Sequence, residues 1–371
     1  MAAVTVPPAG MFQGAEKGGK QFQEDSFFSW RSPNQIITIG GIYDGHGGYN
    51  GMIASNAARD YSLRFIGLIE NPEQIQTNEW HTLLLLLFDE IHQHIRDILK
   101  NQSPDRQIDE KGIVRTLNSD PIHGGCTGTV IVQIRNMDGS STIINANVGD
   151  STALLCFLDN LSPEKYHMLT VDHGPENADE YRRIQNLPKE EFPIKLLFVY
   201  DKTNVFQKYN CPFVYLESGE KDPQYEKNPW NNGLHPINVR YEPAMYMVTP
   251  REVLRDSTCI AMTRALGDLY AHQFGLTHVP SITTYELPAN RTCVVAVASD
   301  GIWDCWTYND FSNFFRGALL DAHTASVEPV VGMRKVLDES ITRAIANFGA
   351  KHYDDVALVS WVIAPAIATE E

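Results

Sequence analysis

Between Thr127 and Leu158 the sequence runs strand, turn, strand, turn, strand with no room for a helix, and that stretch decides the class of fold. Residues 127–135 and 141–148 are β-branched runs joined by Asn136-Met137-Asp138-Gly139, whose Asp-Gly step suits a tight hairpin. Val148-Gly149-Asp150-Ser151-Thr152 then turns the chain into a third strand at 153–158. Strands joined by hairpins lie antiparallel, because a parallel pair needs a long crossover. The same reading extends outward. Residues 26–30 and 35–43 form another hairpin across an Asn-bearing turn, 166–171 and 292–298 are further strands, and 356–363 is the last. Helical periodicity is confined to 48–68, 79–100, about 176–185, 307–320 and 327–348. The expectation is an α+β protein whose helices are segregated to the faces of antiparallel sheets. Residues 1–20 and 101–123 read as loops.

One domain, 1–371 with a core of about 20–364, can absorb all of this if the β architecture has two layers. Residues 186–257 differ in kind, being rich in Pro, Tyr, Asn and charge, with Asn228-Pro229-Trp230-Asn231-Asn232-Gly233 as the clearest loop. They read as an insertion or subdomain, in which Tyr200, Phe206, Tyr209, Phe213, Tyr215, Tyr225 and Trp230 pack a small core.

The formal charge of −16 argues against a nucleic-acid or anionic-membrane surface. Cys126, Cys156, Cys211, Cys259, Cys293 and Cys305 are scattered among apolar or small neighbours with no C-x-x-C pair, so buried reduced thiols are expected. The N-terminal residues carry neither a basic stretch followed by an apolar one nor the glycine needed for myristoylation. The longest apolar run, 83–88, is too short to span a bilayer. A soluble monomer in the cytoplasm, the nucleus or both is expected. Along 79–100 the stripe of Trp80, Leu83 to Leu87, Ile91, Ile95 and Ile98 is core, and His81, His92 and His94 read as surface or capping residues.

Five places share one local design, an Asp at a strand end beside Gly, another acid or a small residue. They are Glu24-Asp25, Asp44-Gly45, Gly149-Asp150, Asp300-Gly301 with Asp304, and Asp354-Asp355. Each alone is an ordinary turn. Together they put acids where packed sheets end, and converging carboxylates repel one another unless cations neutralise them. Oxygen donors suit Mg²⁺ or Mn²⁺, whereas zinc would want His or Cys in ligand spacing, and the sequence shows none. Two such ions sharing a water would supply hydroxide for attack on a phosphate ester, and His46 stands near enough to Asp44 to protonate a leaving alkoxide.

The ordered set Gln23-Glu24-Asp25, Asp44-Gly45-His46-Gly47-Gly48, Gly125-Cys126-Thr127, Asn147-Val148-Gly149-Asp150-Ser151, Leu169-Thr170-Val171-Asp172-His173, Thr263-Arg264-Ala265-Leu266-Gly267-Asp268, Ser299-Asp300-Gly301-Ile302-Trp303-Asp304 and Tyr353-Asp354-Asp355 resembles the metal-dependent protein phosphatases, the type 2C serine/threonine family. The resemblance runs from about residue 20 to 363 and implies a four-layer α/β/β/α sandwich, two antiparallel sheets flanked by helix pairs. It implies two Mn²⁺ or Mg²⁺ ions, and a third held more weakly, acting on phosphoserine and phosphothreonine in proteins. Asp44 would bridge the two ions, the Gly45 carbonyl would bind one, and Asp300 and Asp354 would hold the other. Glu24 and Asp25 would support them directly or through water. Asp150 and Asp304, with Asp300, would match the third position, and His46 the general acid.

The chain departs from the family in places. Lys20 stands where an Arg usually grips the substrate phosphate, and reads either as the phosphate contact or as a solvated loop lysine. Asp355 replaces a usual Asn and adds charge beside the cluster; Ala357, Thr152 and Gly174 also replace usual residues. The stretch between Arg183 and Met262 is far longer than the family's flap, as a lid or docking surface would be. The alternative is a catalytically silent relative that serves as a binding or scaffold module.

Overall fold

The computed structural model describes residues 10–365 except 160, 162, 176, 201–212, 216–224, 228–244 and 250–257. Ten strands make its two main sheets: β1 (Met11–Glu16), β2 (Ser26–Arg31), β3 (Ile37–Tyr43), β4 (Gly128–Arg135), β5 (Ser141–Val148), β6 (Thr152–Phe157), β7 (Tyr166–Met168), β8 (Ser281–Leu287), β9 (Cys293–Ala298) and β10 (Val356–Ile363). One sheet has the order β8-β5-β4-β3-β2, the other β1-β10-β9-β6-β7, and every pairing is antiparallel.

Successive side chains point to opposite faces, so a strand packed on both faces is apolar nearly throughout. In β4, Val130 and Val132 pack toward helices while Ile131 faces the other sheet. In β9, Val294 and Ala296 pack toward a second set of helices, and Val295 and Val297 face inward. A dry seam of Ile42, Ile131, Ile143, Leu155, Val359 and Trp361 thus joins the two sheets.

The outer layers are helix pairs. Helices α1 (Tyr49–Gly67) and α2 (Thr77–Asn101) cover the first sheet. The start of α2 is fixed by a capping box between Gln76 and Glu79, with Gln76 N–H donating to Glu79 Oε2 at 2.7 Å. Its buried face carries Trp80, Leu84, Leu87, Phe88, Ile91 and Ile95, at helical spacing. In chain order there follow the shorter helices α3 (Ala178–Gln185), α4 (Leu269–His272) and α5 (Asp300–Trp303). The pair α6 (Tyr308–Thr324) and α7 (Pro329–Phe348) then covers the second sheet through Phe311, Phe315, Met333 and Leu337. The four-layer expectation holds, and no helix among the described residues is long and apolar enough to cross a membrane.

Several local readings are corrected. Residues 11–16 are the edge strand β1, paired with β10 along its whole length, not a loop. The stretch 101–123 contains a small hairpin, Arg106–Ile108 with Val114–Thr116. Strand β8 is not legible in the sequence, because it lies at a sheet edge and its exposed positions Thr283, Thr284 and Glu286 fall on both faces, which removes the apolar alternation. Cys126, Cys156, Cys293 and Cys305 are buried thiols, but Cys259 is exposed; Cys211 lies outside the described residues.

Much of 186–257 also lies outside them, including Phe206, Tyr209 and Trp230 and the side chains of Tyr200, Phe213, Tyr215 and Tyr225. The described base of this segment is a three-stranded sheet of Leu197–Tyr200, Met245–Val248 and Cys259–Ile260. Leu196 and Met247 root it in a satellite core with Ile184, Ile260, Tyr270 and Phe274.

Candidate active site

Six chain segments meet where the strands end, and hydrogen bonds between the sequence motifs hold them together. Asp44 follows β3 directly; its N–H donates to Thr127 Oγ1 at 3.1 Å, and its carbonyl accepts Thr127 N–H at 2.8 Å. Thr127 Oγ1 in turn lies 2.8 Å from Ser151 Oγ, so three motifs fix one aspartate. On the other sheet, Ser299 Oγ donates to Asp25 Oδ2 at 2.6 Å and accepts Ala357 N–H at 3.0 Å. Asp300 is the next residue and the first of α5. Asp355, wholly buried after its neighbour Asp354, accepts Gly18 N–H at 2.8 Å and Glu24 N–H at 2.6 Å. The 18–25 segment is therefore tied to the start of β10.

Asp25, Asp44, Asp300 and Asp354 form one electrostatic unit. Burial pushes the Asp44 carboxyl well above the usual range, and the charges of Asp300, Asp25 and Asp354 push it further, against the pull of Lys20. Burial does the same to Asp25, despite the Ser299 bond, and Asp354, Asp355 and Asp300 add to it. Asp354 is raised to about 6, by burial and then by Asp300, with Lys20 opposing. Glu24 Oε1 and Asp25 Oδ1 are buried with no hydrogen-bond partner.

Lys20 is not a solvated loop lysine. Its Nζ lies 2.5 Å from Asp354 Oδ1 and 3.2 Å from Glu24 Oε2. Burial alone would lower its pKa, but Asp354, Asp44 and Asp300 together raise it. A cavity of about 240 Å³ opens beside this pair, and Lys20, Gly301, Asp304, Tyr353 and Asp354 contribute to its wall.

His46 occupies a different side of the site. A short three-stranded ladder of Gly45–His46, Gly125–Cys126 and Leu266–Gly267 brings Asp268 against it. His46 Nε2 lies 2.5 Å from Asp268 Oδ2, while its Nδ1 is buried and unpartnered. A side chain on Gly125 would strike the Asp268 carboxylate, so the ladder requires glycine there. Burial lowers the imidazole pKa, but the charge and hydrogen bond of Asp268, with Asp150 and Glu24, outweigh it and the net shift is upward. Asp150 thus adds its charge at His46, and Asp304 lines the cavity.

Sequence reasoning left Asp268 without a role and misplaced His92. Asp268 was visible only as the end of a motif, because its partner lies 222 residues away. His92, expected at the surface, is buried and packs against His272 and His278.

The sequence profile of the family described as Protein phosphatase 2C matches residues 11–192 and 245–348. Among curated relatives, "Probable protein phosphatase 2C 6" of Arabidopsis thaliana is 21% identical over 93% of this chain and 62% of its own length. "Probable protein phosphatase 2C 52" of the same plant is 22% identical over 78% of this chain and 53% of its own. The chain thus spans little more than half the length of these relatives. The solved structure of a serine-threonine phosphatase 2C from Toxoplasma gondii superposes with a TM-score of 0.52 at 16% identity, covering 96% of this chain and 99% of that one, a likeness of fold.

Proposed function

The chain belongs to the protein phosphatase 2C family, and from that premise we propose that it removes phosphate from phosphoserine and phosphothreonine in proteins, using two Mn²⁺ or Mg²⁺ ions at the acidic end of the sandwich. The observation that carries this reading is the meeting of Asp25, Asp44, Asp300 and Asp354 in one mutually repelling, buried group. The residues fit hard divalent ions. Their donors are all oxygen, and the partnerless Glu24 Oε1 and Asp25 Oδ1 already lie in place.

In this reading Asp44, the Gly45 carbonyl, Asp300 and Asp354 would hold the ions, with Glu24 and Asp25 in support. Asp150 and Asp304 serve a weaker third position with Asp300. When bound, such ions lower the pKa of a shared water and neutralise the phosphoryl oxygens. The chain's own groups do the rest. Asp268 holds Nε2 of His46 and favours the charged ring, leaving Nδ1 to give its proton to the departing seryl or threonyl oxygen. Lys20, on the cavity wall, turns from Asp354 to the phosphate. The segment 186–257, rooted beside α3, acts as a flap that selects protein substrates.

One observation favours a second reading, the catalytically silent binding module: Lys20 places its own ammonium among the acids that would hold the ions. Phosphate release from a phosphothreonine peptide with Mn²⁺ separates the two. Release abolished by EDTA and by Asp300→Ala supports the phosphatase; divalent binding or none, with no release, supports the silent module.

A further inference from the structure

Three histidines from distant parts of the chain meet behind the turn that carries Asp268. His92 comes from α2, His272 ends α4, and His278 follows six residues later. One ring nitrogen of each lies within 4.8 Å of the other two. His92 is buried, and the His278 side chain keeps 22% of its surface exposed.

Two of the rings are already oriented from behind. His272 is hydrogen-bonded to the backbone of Ala265 and Gly267, and its Nε2 is buried with no partner. His278 Nε2 donates to Asp89 Oδ1 at 3.1 Å, and its Nδ1 is buried with no partner. A ring that donates through one nitrogen to a carboxylate or carbonyl presents its lone pair at the other, which is how metal-bound histidines are held. The third ring, His92, accepts Gly267 N–H at Nδ1 over 3.2 Å, a long bond that ligation can displace. It stacks on His278 with centroids 4.1 Å apart.

Packing alone leaves a cost unexplained. A buried acceptor without a donor costs about 1–3 kcal/mol, and two such lone pairs sit in one small cluster. Burial, reinforced by the neighbouring rings, holds His92 well below the usual imidazole range; burial and His278 hold His272 down to about 4. Both rings are therefore in the neutral form that binds metal.

We propose that His92, His272 and His278 form a second metal site, separate from the acidic centre, for one borderline-soft divalent ion of the zinc class, with Asp89 orienting His278. Nitrogen donors select zinc, copper or nickel over magnesium, which prefers oxygen. Zinc–nitrogen bonds of about 2.1 Å set tetrahedral ligand atoms about 3.4 Å apart. The rings therefore draw in by at most about 1.4 Å from their present spacing, and the His92–His278 stack splays as they do. The exposed edge of His278 leaves room for a water as fourth ligand. The ion ties α2 to α4 directly behind Gly267, whose neighbour Asp268 holds His46.

The test uses the full chain in excess Mg²⁺, which fills the acidic centre. Zn²⁺ is titrated in, retained metal is counted by elemental analysis after desalting, and Co²⁺ absorption reports nitrogen ligation. One Zn²⁺ per chain is expected, with a dissociation constant below about 10 µM. A raised melting temperature and a visible Co²⁺ band accompany it. His272→Gln and His278→Gln should each cut the retained Zn²⁺ at least tenfold. Asp89→Asn, at a residue whose side chain is 54% exposed and whose loss spares the core, should weaken binding about tenfold. Asp300→Ala should leave the Zn²⁺ count unchanged. No retained Zn²⁺ in the wild type, or Zn²⁺ lost with Asp300→Ala but kept in the histidine variants, overturns the proposal. Should the histidine variants fail to fold, the wild-type count and the Asp89→Asn shift decide alone.

Discussion

Asp268 reaches His46 across 222 residues, at 2.5 Å, from a turn in which it adopts the left-handed backbone at φ 46°. A non-glycine residue held in that region costs about 1–3 kcal/mol and persists where the surroundings over-determine it. Here they do. Gly267, also left-handed, passes over Gly125, and Asp268 N–H donates to the Gly124 carbonyl at 3.1 Å. The strain aims one carboxylate at one imidazole.

Asp268→Asn should therefore leave the fold intact and lower kcat by about 10²-fold on phosphoserine peptides, the usual worth of a positioned acid. On an activated aryl phosphate, whose leaving group needs no proton, the loss should be several times smaller. His46→Ala should show the same contrast. Equal losses on both substrates, read from steady-state kinetics, would remove His46 and its partner from proton transfer.

A second lock sits one turn upstream. Glu180 of α3 takes Arg264 Nη2 at 2.5 Å, Arg183 Nε at 3.0 Å and Thr263 Oγ1 at 2.8 Å. Burial would raise its pKa, but Arg264 and Arg183 outweigh that and bring it to about 2. Arg183 shows no matching gain, since burial lowers it, so the net worth of the pair is less than the Glu180 shift alone implies. A carboxyl depressed on folding stabilises the protein above its unfolded value and loses that effect as pH falls. Urea unfolding should show a loss of about 2–3 kcal/mol between pH 4.5 and pH 2 that Glu180→Gln abolishes.

How much of this the sequence displays depends on whether a feature is local. The strands 141–148 and 356–363 match to the residue, because both are rich in β-branched residues and 141–148 is bounded by the Asp138-Gly139 turn and by Gly149. The first-motif acids are likewise visible as Asp at strand ends. Edge strands with polar positions on both faces, such as β8, and pairings decided by the partner, such as β1 on β10, leave no such mark. The histidine cluster and the Asp268–His46 pair are contacts across roughly 180 or more residues, and no spacing rule reaches that far.

Lys20 makes two opposing contributions that one variant separates. Its ammonium relieves the repulsion among Asp354, Asp44 and Asp300 when no ion is bound, and competes with an ion for the same oxygens. Lys20→Gln should lower the melting temperature in EDTA by about 2–4 °C, the equivalent of about 1 kcal/mol in a domain of this class. The rise on adding Mn²⁺ should be larger than in the wild type. Lys20→Arg should lower KM if the side chain also reaches the phosphate; an unchanged KM limits Lys20 to the acids.

Asp355 explains its own departure from the family pattern. Two backbone donors, Gly18 N–H and Glu24 N–H, converge on its two oxygens. An asparagine offers one acceptor, so Asp355→Asn turns an amide NH₂ toward a buried N–H and leaves that donor unsatisfied, at a cost of about 1–3 kcal/mol. The damage is not confined to stability. Glu24 is the residue whose backbone is released, and its side chain carries a buried, partnerless oxygen beside Lys20. Asp355→Asn should thus weaken Mn²⁺ binding several-fold by calorimetry even under conditions where the chain stays folded. Removing the charge pulls the other way only on Asp25, whose carboxyl Asp355 helps to raise. An affinity that rises in place of falling would show that charge relief at Asp25 outweighs the loss of the Glu24 anchor.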